Sequence, residues 1–91
     1  MAEMNQPTRV AILAIVVEKR DQVETLNHIL HENGQYIIGR MGIPCEKKDI
    51  SLISVAVDAP QDVISAMSGR IGNLNGITAK AVYSKLPEEK S

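Results

Sequence analysis

The 91 residues allow one domain and leave no length for a second one bearing its own site. Hydrophobic residues make up 44% of the chain, yet it has no Phe, no Trp and only Tyr36 and Tyr83, so any core must be built from Ile, Val, Leu, Met and Ala. Ten basic and eleven acidic residues give a net charge of −1 and alternate in sign along the chain, which argues against a nucleic-acid backbone as partner. The lone Cys45 rules out an intrachain disulfide and fits a reducing, cytoplasmic setting.

Residues 1–8 read as a flexible start, followed by an apolar run from Arg9 to Val17. Its eight apolar residues fall far short of the roughly 20 that cross a bilayer, and Glu3 without a basic cluster spoils a secretory reading, so no membrane partner is expected. Length and β-branching predict a strand. Asp21 and Glu24 imitate a capping box, and Val23, Leu26, Ile29 and Leu30 recur at helical spacing until Gly34, giving a helix over roughly 20–33. Gln35 to Gly42 reads as a second strand stopped by Pro44. A polar turn at Glu46–Asp49 leads into a third strand, Ile50 to Val57, with Ile53, Val55 and Val57 on one face.

Asp58 and Pro60 open a second helix whose core stripe is Val63, Met67, Ile71 and Leu74 and which ends by Gly76. The last strand is Ile77 to Ser84, the domain runs over 9–86, and 87–91 read as a solvated tail. This order predicts an α+β fold, a ferredoxin-like, ACT-like βαββαβ unit with a four-stranded antiparallel sheet and both helices on one face.

That topology leaves the other sheet face bare. Strand one is expected at the centre and is apolar on both sides, Val10, Ile12 and Val16 against Leu13, Ile15 and Val17. Leu13, Ile15 and Val17 are assigned to the uncovered face as an oligomer interface, because large exposed apolar patches mark contact surfaces and closed symmetry predominates among homo-oligomers. The expected assembly is a dimer or a dimer of dimers. The alternative is a strand covered on both sides within one tight monomer.

Three further sets carry candidate chemistry. Glu24, His28 and His31 share a helical face away from the core stripe and, with Cys45, are the candidates for a metal; the competing reading is an ordinary solvated face and a bystander thiol. Ser65, Ser68, Gly69 and Gly72 form a smooth side of the second helix. Two helix glycines, each costing about 1 kcal/mol relative to Ala, call for a ligand or partner in close approach, unless the helix breaks there. No phosphate-cradling loop, HExxH, CxxC or nucleophile elbow occurs, so the chain reads as non-enzymatic, with no catalytic residue and no cofactor.

The opening Arg9–Glu18, the segment Arg40-Met41-Gly42-Ile43-Pro44 and the stretch Met67-Ser68-Gly69-Arg70-Ile71-Gly72-Asn73-Leu74-Asn75-Gly76-Ile77 together resemble the iron-only hydrogenase system regulator family, over about Thr8 to Leu86. The resemblance implies an ACT-like fold, similar to the ligand-sensing domain of the nickel-responsive repressor, and a regulatory role in hydrogenase assembly or expression. Ordinary amino-acid-binding ACT domains carry a glycine in the turn after strand one. Here that turn is Glu18-Lys19-Arg20-Asp21, which argues against close backbone approach to an amino acid there. The chain lacks the repressor's ribbon-helix-helix segment, so any effect on DNA is expected to pass through another protein. Three readings follow: a ligand-sensing regulatory module with a small effector at a subunit interface, an oligomerisation module without ligand, and a metal-responsive sensor.

Overall fold

In the computed structural model, which describes residues 7–85, the apolar run forms strand β1 (Arg9–Val17) at the centre of the sheet. Helix α1 (Val23–Glu32), strand β2 (Ile37–Cys45), strand β3 (Ile50–Ala59), helix α2 (Gln61–Gly72) and strand β4 (Ile77–Tyr83) follow, with single 3-10 turns at Arg20–Gln22, Gly34–Tyr36 and Glu46–Lys48. The strand order is β2-β3-β1-β4 with every pairing antiparallel, the ferredoxin-like α+β arrangement that the sequence predicts. The expected tail at 87–91 and residues 1–6 of the expected flexible start lie outside the described residues.

Local chemistry departs from expectation at several ends. Gln22, not Asp21, is the N-cap of α1 and makes no side-chain cap; the chain enters through the 3-10 turn, so no capping box forms. The C-terminus is closed by Asn33, whose Nδ2 donates to the Ile29 carbonyl at 2.9 Å, and Gly34 starts the next turn without a positive φ. Strand β2 runs through Pro44 to Cys45 instead of stopping before it. As an edge strand it pairs only with β3, so the missing N–H of Pro44 costs no ladder bond inside the sheet. A bulge between Ile37 and Gly39 shifts the register and leaves Ile38 exposed. Helix α2 continues through Gly69 without a break but ends at Gly72, four residues short of Gly76.

The core lies between the sheet and the two helices. Leu13, Ile15, Val17, Val55 and Val57 of the sheet meet Leu26, Ile29 and Leu30 of α1 and Ile64, Met67 and Ile71 of α2, all buried. Val63 and Leu74, expected in the α2 stripe, flank this core half-buried while Ile64 takes the central place. Each such aliphatic side chain contributes about 1.5–3 kcal/mol on burial, so an aromatic-free core of this kind is adequate.

Ion pairs trim the edges of the layer. Arg70 of α2 meets Glu32 of α1 at 2.9 Å, with His28 3.3 Å from the same carboxylate. The hydrogen bond from Arg70, ahead of the charges of Arg70 and His28, holds the Glu32 carboxyl below its ordinary range.

Candidate functional site

Opposite residues of paired strands point to the same side, so register assigns each face. Leu13 sits between Val55 and Ala81, and Ile15 between Ile53 and Ala79, all on the helix side. The interface assigned to Leu13, Ile15 and Val17 is therefore corrected: these are core residues, Leu13 being 0% exposed, because the two crossover helices cover the odd-numbered side of β1. The even-numbered side is open. There Val10, Ile12, Ala14 and Val16 line up with Val82, Lys80 and Thr78 of β4, with Leu52, Ser54, Ala56 and Asp58 of β3, and beyond them with Gly39, Met41 and Ile43 of β2.

This face is apolar and uncovered within the described residues. Val10, Ile12 and Leu52 are about half exposed, and Met41 and Val82 reach 61% and 64%. A shallow depression of about 270 Å³ lies within it, bounded by Ile12, Gly39, Arg40, Met41, Ser54 and Ala56; the small residues Gly39, Ser54 and Ala56 make its floor low between Ile12 and Met41. Arg40 itself pairs with Val55 on the other side and reaches back to Asn27 of α1 at 3.1 Å.

The other candidate sets are not brought together. Glu24, His28 and His31 are exposed on α1, and His28 faces Glu32 instead of its predicted companions. Cys45 pairs with Ile50 on the open side of the sheet, while α1 packs on the covered side, so the sheet separates the thiol from the histidines. Among the described residues no three His, Cys, Asp or Glu side chains converge to hold a metal.

On α2, Ser65 accepts a hydrogen bond from Gln61 Nε2 at 3.1 Å, Ser68 is half-buried, and a methyl group built at Gly72 would come only to ordinary contact distance of the Ala79 nitrogen of β4. A methyl group built at Gly69 meets nothing within 4 Å. Gly69→Ala is accordingly expected to raise stability by about 0.5–1 kcal/mol, through higher helix propensity and a less free unfolded chain. Urea denaturation checks this, and a loss of stability would show that something approaches Gly69 closely.

Sequence reasoning missed a polar clasp at the far end of the sheet. Arg9 stacks over the Tyr83 ring, 4.3 Å from its centroid, and donates to Gln61, whose Nε2 donates to the Tyr83 hydroxyl at 2.7 Å. It ties the start of α2 to the central strand β1 and the edge strand β4. At the opposite end the glycine-free turn after β1 is filled from within: Lys19 packs against Gly76, and the Glu18 N–H donates to the Gly76 carbonyl at 2.7 Å.

A four-stranded antiparallel sheet with two helices on one face and a bare apolar second face defines a ferredoxin-like α+β domain. Within that class the chain belongs to the family described as "TM1266-like: Iron-only hydrogenase system regulator, putative", whose model matches residues 9–81. Among solved structures it is similar to the uncharacterized protein TM1266 from Thermotoga maritima, at 30% identity and a TM-score of 0.82, over 86% of this chain and 99% of that one. No curated protein matches the sequence. None of the described helices is long and apolar enough to cross a membrane.

Proposed function

We propose that this chain is a non-enzymatic regulatory module of an iron-only hydrogenase system, working as a homodimer or dimer of dimers closed across the open sheet faces. A small effector held at that interface shifts the assembly or docks a protein partner. The observation that carries the reading is the uncovered row of Val10, Ile12, Met41, Ile43, Leu52 and Val82. The family name supports the regulatory half.

Magnitudes favour a second copy as cover. Four strands about 4.8 Å apart and some 30 Å long present on the order of 600 Å² in projection. Side-chain relief raises that toward the roughly 800 Å² per partner of a standard interface, an upper limit reached at full overlap of the two faces. The depression beside Ile12 then becomes an enclosed space between subunits. An effector acts there only if it prefers one state of the assembly, since equal affinity for both shifts nothing.

Light scattering at micromolar concentration is expected to give a dimeric or tetrameric mass. Ile12→Glu, which plants a charge in the middle of the face, is expected to give a monomer with unchanged circular dichroism. A monomeric mass for the unaltered chain overturns the reading. Thermal-shift measurements with amino acids, nucleotides and divalent metals then separate an effector-binding module from a purely structural one.

A further inference from the structure

The open face is almost free of charge, and its two charged side chains are of opposite sign. Of the strand residues on that side, only Lys80 of β4 and Asp58 of β3 belong to the charged residue types Asp, Glu, Lys and Arg. Both are exposed, and neither makes an ion pair or side-chain hydrogen bond among the described residues.

They cannot meet within one chain. Lys80 lies opposite Ala14 and Asp58 opposite Val10, on the two sides of β1. Strand spacing and rise place their Cα atoms about 17 Å apart, beyond the reach of a Lys and an Asp side chain together.

We propose that Lys80 of one subunit pairs with Asp58 of a second copy, and Asp58 with Lys80 in return, so that two symmetric ion pairs set the register of the sheet-to-sheet dimer; this rests on the dimer reading above. A charge covered without a partner is strongly unfavourable, so burial of this face requires a counter-charge at each of the two positions. One cation and one anion on a self-associating surface supply that under a single twofold axis. The position midway between Ala14 and Val10 on β1 is Ile12. An axis passing over Ile12, in the plane between the sheets and perpendicular to the line joining Lys80 and Asp58, carries each onto the other. It packs Ile12 on its own copy and sets the strands closer to the orthogonal than to the aligned class of sheet packing. A hydrocarbon surface in place of the second copy leaves both charges unpaired.

The test measures dimer dissociation by sedimentation equilibrium on the full chain carrying Lys80→Glu, Asp58→Lys, both together, or Lys47→Glu at the exposed hairpin tip as a charge-matched control. Each single face variant creates two like-charge contacts and is expected to weaken the dimer about tenfold or more, while the double exchange recovers to within about threefold. The control is expected to stay near the unaltered value. Independently, carbodiimide coupling of mixed light and isotopically heavy chains is expected to yield a Lys80–Asp58 peptide carrying one label of each kind. A dimer whose double variant is no tighter than the singles, or whose mixed-label link is absent, overturns the pairing and leaves the dimer standing. An unaltered chain that is monomeric overturns both.

Discussion

Leu13→Ala is expected to lower the stability of the fold by about 3–5 kcal/mol, the upper part of the range for deleting a buried leucine side chain. Leu13 is 0% exposed, lies mid-sheet between Val55 and Ala81, and belongs to the same buried cluster as both helices. Strands on both sides fix the backbone, so the cavity cannot collapse and its lining loses contacts outright. A domain of this length holds roughly 5–14 kcal/mol in total, so the variant forfeits a large share of it. The urea midpoint should fall with the slope unchanged. One residue earlier, Ile12→Ala removes a half-exposed side chain and is expected to cost the fold itself under about 1 kcal/mol. Equal losses at 12 and 13 at concentrations where the chain is monomeric would mean that both faces of β1 are covered within one chain.

That pair of substitutions also marks where sequence reasoning ran out. Element order, the central place of β1 and the bare sheet face are all legible, because they follow from runs of apolar residues and from connection rules. The parity of β1 is not: Val10 to Val17 contains no polar residue on either side to say which one faces solvent. The information sits in the neighbours, since Thr78 and Lys80 of β4 and Ser54 and Asp58 of β3 fall on the even side of β1 once the strands are paired. Pairing register is a tertiary property, and a slip of one residue exchanges the two faces. The extension of β2 past Pro44 was hidden for a related reason, because a proline reads as a stop until the strand is known to be at the edge. The separation of the metal candidates is topological too, since helical spacing groups Glu24, His28 and His31 but says nothing about which side of the sheet holds Cys45.

Gly76→Ala is expected to cost about 2–3 kcal/mol, the second-largest effect. Gly76 is the one described glycine with positive φ, at +78°, where an L side chain meets backbone strain of about 1 kcal/mol or more. A methyl group there also sits 2.7 Å from Lys19 Cβ and 2.9 Å from Lys19 Cδ, so the turn after β1 has to move. Movement is resisted, because the Glu18 N–H is bound to the Gly76 carbonyl at 2.7 Å and both residues adjoin strands that pair with each other. The two contributions separate in a double-mutant cycle. Lys19→Ala alone trims an exposed side chain and should be close to neutral. Combined with Gly76→Ala it removes the clash with the lysine stem but leaves the Cβ contact and the positive φ, so the double variant should be more stable than the sum of the single changes by roughly 1 kcal/mol. Strict additivity in urea denaturation would mean that backbone conformation alone sets the requirement for glycine. A positive coupling would show that the Lys19 stem packed against Gly76 adds to the requirement for glycine.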